Sequence, residues 1–148
     1  MSAPMINYIF TTEGVSPEQL RGFFNGWPNP PSPETHLRLL KNSDEIVLAI
    51  DQETKRVVGF ITAITDHVLS AYIPFLEVLP EYRGREIGKE LVDFMLERLG
   101  DLYMIDLICD QELQAFYAKR GMVKARGMMM RNYDSQSGSP FPSSEHAG

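Results

Sequence analysis

The chain has 148 residues, of which 43% are hydrophobic and 23% charged, and its net charge is −6. This length fits one domain, the composition excludes a wholly disordered protein, and the acidic balance disfavours nucleic acid as a partner. With no apolar run near the ~20 residues of a membrane span and no leader-like N-terminus, we expect a cytoplasmic protein that does not cross a membrane. The single cysteine fits a reducing compartment, and the three widely spaced histidines predict no metal site.

The predicted elements alternate between strands and helices. Ser16 and Ser32 each precede a proline, which is typical of a capped helix start. Residues 102–109 form a near-continuous apolar run, typical of a strand buried on both faces. In chain order we predict a strand over 6–11, helices over 17–24 and 33–41, strands over 45–50, 57–64 and 70–78, a helix over 86–99, a strand over 102–109, a helix over 111–121 and one or two closing strands over 123–133.

This order predicts a mixed α+β fold. The sheet is central, mostly antiparallel and six to seven strands wide, with a β-α-β crossover and helices on both faces. From residue 134 onward, Ser, Gly and Pro dominate, and such a segment buries too little surface to offset its ordering entropy. We therefore expect one domain over residues 1–133 and a flexible C-terminal tail over residues 134–148.

The segment over residues 78–89 joins a strand to the most strongly periodic helix. Gly84 and Gly88 let backbone N–H groups converge near the helix N-terminus, and Arg83, Arg85 and Lys89 add positive charge. This combination predicts a pyrophosphate cradle in an otherwise acidic protein, with a simple basic turn as the alternative. The glycine spacing matches neither a Walker loop nor a dinucleotide-binding fingerprint.

The same segment, L-E-V-L-P-E-Y-R-G-R-E-I-G-K-E-L, resembles the coenzyme A loop of the GNAT superfamily of N-acetyltransferases. The family pattern maps onto residues 83–88, with Glu86 in place of its first glycine. A second family motif, F-Y-x-x-x-G-F, resembles residues 116–122, and the order of elements matches over about residues 5–133. The resemblance implies acetyl-CoA as co-substrate, no metal, and direct acetyl (acyl) transfer to a primary amine of a small molecule or peptide.

The resemblance also implies roles for single residues. The amide of Val78 would bond the pantetheine arm, and Tyr117 would protonate the leaving thiolate; apart from the resemblance, Tyr117 is typical of a packed aromatic. Asp110 either lines the cleft or caps the helix that follows it. The residues expected to bind coenzyme A are Val78, Arg83, Gly84, Arg85, Glu86, Ile87, Gly88, Lys89 and Asp110.

Three further residues are candidates for the acceptor side. Glu77 is the one charge in the apolar run over residues 73–78, which favours a general base; a strand-end ion pair, or an ordered water as base, is the alternative. Phe24 lies beside the proline-rich segment 25–31 and Trp27 lies within it, and both are expected to line the acceptor site, or else to close the core. A CoA-binding sensor without catalysis remains the alternative function, and a homodimer is left open.

Overall fold

The computed structural model describes residues 4–138, and within them one sheet and three helices form the body. The sheet has six strands, and short 3-10 turns lie between several of the elements. The strands are β1 (Ile6–Ile9), β2 (Glu45–Asp51), β3 (Val57–Thr65), β4 (Ser70–Tyr72), β5 (Leu76–Val78) and β6 (Met104–Asp106), and the helices are α1 (Pro33–Lys41), α2 (Ile87–Leu99) and α3 (Gln114–Ala118).

The strand order is β1-β2-β3-β4-β6, and β5 also pairs with β3. All pairs are antiparallel except β4 with β6, which is parallel. A parallel pair needs a crossover, and α2 provides it between β5 and β6. The predicted fold class is therefore confirmed: a mostly antiparallel mixed sheet with one β-α-β crossover.

Helices cover both faces of the sheet, and neighbouring residues of β3 show how. A methyl group at Gly59 would lie 3.0 Å from Leu91 and 3.2 Å from Ile87, so α2 packs directly on this glycine. The next side chain, Phe60, points to the other face, because side chains alternate along a strand. There its ring centroid lies 4.3 Å from that of His36 on α1. Phe60 is fully buried, at the centre of the core.

The predicted helix over residues 17–24 is wrong in length. Its start is as expected, because the N–H of Ser16 donates to Oε1 of Gln19 at 2.8 Å. However, only a 3-10 turn forms, over Pro17–Leu20. Gly22 and Phe24 then adopt left-handed backbone, with φ of 95° and 61°, which a right-handed helix does not accommodate.

Three strand predictions also need correction. The predicted strand over residues 70–78 is divided into β4 and β5, with Pro74 in the interruption. The strand expected over residues 102–109 is reduced to β6 and is not buried on both faces, since Tyr103 is 81% exposed. The closing strands over residues 123–133 do not form: residues 122–132 belong to no helix or strand and 123–135 are exposed.

The chain returns to the body after this exposed stretch. Tyr133–Ser135 forms a 3-10 turn, Oε1 of Gln136 accepts from the N–H of Asn29 at 3.0 Å, and Arg38 donates to the carbonyl of Gly138. The first residues of the predicted tail thus contact α1 and the loop before it, while 139–148 lie outside the described residues. The domain boundary itself stays a prediction. Within residues 4–138, no helix is both long enough and apolar enough to cross a membrane.

Candidate functional site

A wedge opens in the sheet between β5 and the residues that follow β6. The parallel pair β4–β6 extends to Tyr72 opposite Asp106, and the N–H of Ile73 donates to the carbonyl of Asp106 at 3.0 Å. Past Pro74, β5 pairs only with β3 among the described strands, and β6 has ended. Two parallel strands that begin as neighbours thus separate at the proline.

The amide of Val78 faces this wedge. The N–H of Leu79 donates to the carbonyl of Val58 at 2.9 Å, and the carbonyl of Phe75 accepts from the N–H of Thr62 at 3.1 Å. Backbone groups alternate in direction along a strand, so the N–H of Val78 points away from β3. Its carbonyl accepts from Nε of Arg83 at 3.0 Å. The N–H of Val78, which is predicted to bond the pantetheine arm, therefore points into the wedge.

The loop before α2 contains two residues with left-handed backbone conformation in close succession. Gly84 has φ of 78° and Glu86 has φ of 65°. A left-handed conformation costs a residue with a side chain roughly 1–2 kcal/mol, which explains why a glycine suits position 86. The side chain of Glu86 is exposed, so its carboxylate points to solvent while its carbonyl accepts from the N–H of Glu90 at 3.0 Å. Helix α2 begins at the next residue, Ile87, which is buried.

A hydrogen bond that the sequence did not predict holds this loop to the sheet. The hydroxyl of Tyr82 donates to Oδ2 of Asp51 at 2.6 Å, and Asp51 is only 3% exposed. The bond from Tyr82 lowers the pKa of the Asp51 carboxyl, and the same bond raises the pKa of Tyr82. Arg85 lies over the Tyr82 ring, 5.4 Å from its centroid. The loop is thus anchored at its centre.

Lys89, the last predicted contact to a phosphate group, forms ion pairs on its own helix. Its Nζ lies 3.3 Å from Oδ2 of Asp93 and 3.8 Å from Oε1 of Glu90. Asp93 also accepts from Nε of Arg120 at 3.0 Å, which ties α2 to the residues just after α3. A contact between Lys89 and a phosphate group would compete with these pairs. Its role at the cradle stays a prediction.

Glu77 anchors the loop that carries the predicted acceptor residues. Its Oε1 accepts from the N–H of Phe24 at 2.8 Å, and its Oε2 accepts from the N–H of Asn25 at 3.2 Å. The alternative of a strand-end ion pair is therefore replaced by a pair of backbone contacts. These bonds hold Phe24 in its left-handed conformation, and they could not be read from local spacing because 53 residues separate the partners.

A cavity of about 270 Å³ lies over this anchor. The rings of Phe24 and Trp27 are 4.9 Å apart, and that of Phe75 lies 6.2 Å from Phe24 and 6.4 Å from Trp27. The predicted candidates Glu77, Phe24, Trp27 and Arg83 are thus brought together. The lining residues are Phe24, Asn25, Trp27, Phe60, Pro74, Phe75, Leu76, Glu77 and Arg83.

Tyr117 lies apart from this cavity, on the β6 side of the wedge. It is 7% exposed, and burial, together with the nearby Cys109, raises the pKa of its hydroxyl, while Arg120 opposes the shift. Burial also raises the pKa of the Cys109 thiol, helped by Asp110 and Glu112. Both groups are therefore held protonated at neutral pH. The thiol form of Cys109 is a poor nucleophile.

Asp110 is exposed and begins the 3-10 turn Gln111–Leu113 ahead of α3. Its carbonyl accepts from the N–H of Leu113 at 3.0 Å, but its carboxylate makes no capping hydrogen bond. The side chain of Asp110 therefore does not cap the turn that follows it, contrary to the capping alternative. Contact between Asp110 and coenzyme A stays a prediction.

A buried histidine beneath the cavity was missed by the sequence analysis. His36 is 1% exposed and lies 4.9 Å from the ring of Phe24 and 5.3 Å from that of Phe23. Burial lowers its pKa to about 4, and neither ring nitrogen has a hydrogen-bond partner among residues 4–138. The neutral ring acts as an aromatic filler under the loop that carries Phe24 and Trp27. In the same described range, no three His, Cys, Asp or Glu side chains are grouped so that they could hold a metal ion.

Comparisons with known proteins agree with this geometry. A model of the Acetyltransferase (GNAT) family matches residues 12–122. A crystal structure of a protein from Deinococcus radiodurans R1 is 46% identical, covers 92% of this chain and 94% of its own, and superimposes with a TM-score of 0.88. The GNAT-family acetyltransferase structure from Streptococcus pneumoniae TIGR4 is 28% identical, covering 86% of this chain and 98% of its own, with a TM-score of 0.69.

A curated relative extends the comparison in sequence. The uncharacterized N-acetyltransferase ycf52 of Pyropia yezoensis is 27% identical over 103 residues, which is 67% of this chain. The chain spans 59% of the length of that relative.

Proposed function

Because this chain belongs to the GNAT family of acetyltransferases, we propose that it transfers an acetyl group from acetyl-CoA to a primary amine by direct attack, with both substrates bound. One observation carries the proposal: the wedge, edged by the Val78 amide, lies beside a cavity that contains Glu77. A donor for the cofactor arm and a candidate base for the amine thus come from adjacent residues of β5.

The residues present fit coenzyme A. The N–H of Val78 points into the wedge without a strand partner there, which suits an amide of the pantetheine arm. The exposed loop over residues 83–86 carries two guanidinium groups, and it leads into the positive end of the α2 dipole. Acetyl-CoA would supply the acetyl group as an activated thioester, and no metal is needed for that chemistry.

Glu77 and Tyr117 are the residues we propose for proton transfer. Each carboxylate oxygen of Glu77 accepts one backbone N–H, so each keeps a lone-pair direction available to an amine in the cavity. Tyr117 stays protonated well above neutral pH, because burial raises its pKa. A neutral phenol of this kind can donate its proton to a leaving thiolate.

The cavity favours a cationic acceptor. Aromatic rings, among them Phe24, Trp27 and Phe75, line a space beside the Glu77 carboxylate. The lining also includes Arg83, whose Nε is bonded to the carbonyl of Val78. An ammonium group is attracted by aromatic faces as well as by the carboxylate, with about 0.5–2 kcal/mol from each favourable cation–π contact. We therefore propose that a protonated primary amine, on a small molecule or a peptide, binds here and is deprotonated before attack.

The test is turnover with acetyl-CoA and a panel of primary amines, followed by release of free thiol and by mass of the product. We expect thiol release that requires an amine and an amine product heavier by one acetyl group. Binding of CoA in calorimetry without turnover on any amine would identify a CoA-binding sensor instead. No binding of CoA would overturn the proposal altogether.

A further inference from the structure

Two opposite charges line the cavity beside Glu77, here called the acceptor cavity. Within residues 4–138, Glu77 and Arg83 are the only charged residues in its lining. No ion pair joins them, since the ion pairs among the described residues involve other side chains. Each charge is therefore available to a group of a bound molecule. The proposed function uses the negative charge, as the partner of an ammonium group, and gives the positive charge no acceptor to bind.

The backbone holds Arg83 at this cavity. Its Nε donates to the carbonyl of Val78 at 3.0 Å, and the side chain makes no second hydrogen bond within the described residues. The edge of the guanidinium formed by Nη1 and Nη2 thus keeps its N–H groups for another acceptor. This edge presents two parallel donors, which match the two oxygens of a carboxylate. Because the Nε bond already restrains the side chain, less conformational entropy is lost when a carboxylate binds.

The two guanidinium groups of the loop before α2 lie in different surroundings. Arg83 contributes to the lining of the acceptor cavity, whereas Arg85 does not. The guanidinium of Arg85 lies over the ring of Tyr82, 5.4 Å from its centroid. Arg85 therefore carries the same charge on the same loop but outside the cavity, which makes it a matched control for Arg83.

The rest of the lining is mostly apolar, and the space is small. Phe24, Trp27 and Phe75 contribute aromatic rings beside the two charges. The cavity volume of about 270 Å³ lies just below the about 300–1,000 Å³ of pockets for drug-sized ligands. The acceptor cavity thus suits one small molecule that combines a positive group, a negative group and an apolar part.

We propose that the acceptor is a free α-amino acid with an apolar side chain. Its ammonium group binds at Glu77, its carboxylate binds the open edge of Arg83, and its side chain packs among the aromatic rings. This inference rests on the proposed function and narrows its acceptor. A lysine side chain of a protein, or the first residue of a peptide, has no carboxylate beside its amine and would leave Arg83 without a partner.

The carboxylate of the amino acid is unchanged by the reaction. Glu77 takes one proton from the ammonium group, and the free amine forms a bond to the carbonyl carbon of the thioester. The bond between that carbon and sulfur breaks, and Tyr117 gives its proton to the thiolate. The nitrogen loses its second proton, which restores the phenol through water. The products are an N-acetylated amino acid, free CoA and one proton that Glu77 releases to water.

The first test compares three amines that share one side chain. They are L-phenylalanine, 2-phenylethylamine, which lacks the carboxylate, and L-phenylalaninamide, in which the carboxylate is replaced by a neutral amide; a second series is built in the same way on L-leucine. With acetyl-CoA, we expect kcat/KM from thiol release to be at least about tenfold higher for the amino acid than for its analogues in at least one series. A smaller preference in both series, or turnover confined to amines without a carboxylate, would overturn this inference and leave acetyl transfer intact. No thiol release with any primary amine would instead overturn the proposed function.

Substitution of Arg83 tests whether this residue recognises the carboxylate. The measured quantity is the ratio of kcat/KM for the amino acid to kcat/KM for its analogue without the carboxylate. Both reactions use the same acetyl-CoA, so any effect of the variant on CoA binding cancels in this ratio. In Arg83→Gln we expect the ratio to fall at least about tenfold, mainly through a higher KM for the amino acid. Arg83 is exposed, so the variant should melt like the unmodified chain, and an unchanged ratio would overturn the assignment.

Arg85→Gln is the control, because it removes the same charge from the same loop. It should weaken the binding of CoA but leave the ratio of the two kcat/KM values unchanged. An equal fall of the ratio in both variants would show that the positive charge of the whole loop, and not a contact with Arg83, sets the preference. That result would refute the proposed carboxylate site.

Discussion

Replacing Glu77 by glutamine should loosen the loop that carries Phe24 and Asn25. It should also slow the proposed transfer of the acetyl group to the amine. The carboxylate holds two backbone N–H groups, those of Phe24 at 2.8 Å and Asn25 at 3.2 Å. Glutamine keeps one carbonyl oxygen for the shorter bond. Its NH2 group then faces the second N–H, so two donors meet and that bond is lost.

The size of the effect follows from these two contacts. A hydrogen bond to a charged acceptor contributes about 1.5–3 kcal/mol, and a neutral one about 0.5–1.5 kcal/mol. Asn25 is exposed, which moderates the loss. We expect the free energy of unfolding to fall by about 1–2 kcal/mol, or the melting temperature by about 3–6 °C in a chain of this size. A general base typically accelerates a reaction by ~10²–10⁴-fold, so its removal should lower kcat by about 100-fold or more.

Calorimetric melting at pH 7 and steady-state kinetics with acetyl-CoA and a free amine that the protein acetylates measure the two effects separately. Glu81→Gln is the matched control, because it removes an exposed carboxylate four residues further along; both its melting temperature and its kcat should be unchanged. A Glu77→Gln protein that melts like the unmodified chain would refute the anchoring of the loop. Unchanged kcat, in a step limited by chemistry, would refute the general base.

The remaining predictions concern the loop, the proton donor and the buried histidine. Gly88→Asp places a carboxylate where phosphate is expected, and its Cβ has room because it lies 3.8 Å from Val78. Calorimetry should therefore show at least tenfold weaker CoA binding. Glu86→Gly should bind CoA equally or more tightly, and a clear loss of CoA affinity would contradict this prediction. Tyr117→Phe should lower kcat about 10- to 100-fold with CoA affinity little changed, and wild-type kcat would exclude the acid role. Burial lowers the pKa of His36 to about 4, below its value of about 6.5 in the unfolded chain. The neutral histidine therefore contributes to the free energy of unfolding above pH 6.5, and this contribution is lost as the pH falls. Between pH 7.5 and 5.5 the free energy of unfolding should fall by about 1.4 kcal/mol. Denaturant titrations of His36→Phe should lack this pH dependence.

The parts of the fold that could be predicted from sequence depend on short-range chemistry. The Ser32 side chain accepts from the N–H of Thr35 at 3.1 Å, as its place before a proline indicates. The apolar stripe of α2 is buried at each helical repeat, including Leu91 and Met95. The left-handed backbone at Glu86 accounts for the glycine that the family motif has at this position. Each of these features is decided within a few residues of chain.

The parts that could not be predicted depend on partners far away in sequence. The bonds from Tyr82 to Asp51 and from Phe24 to Glu77 span 31 and 53 residues, and no spacing rule encodes them. The closing strands failed for a related reason. Apolar residues such as Met129 favour a strand, but strand propensity expresses packing against a neighbouring strand. No strand among residues 4–138 pairs with this segment, so it forms no strand there.

The parallel pairing of β4 with β6 has a consequence for the order in which the molecule folds. Ser70 and Met104 pair across 34 positions of chain, whereas β2 and β3 are joined by a short turn. Closing a long loop costs more entropy than closing a short hairpin, so local pairs form earlier in folding. We therefore expect the contact that defines one side of the wedge to form late and to open first. Amide hydrogens of β6 should exchange faster than those of β3, and CoA bound in the wedge should slow β6 most.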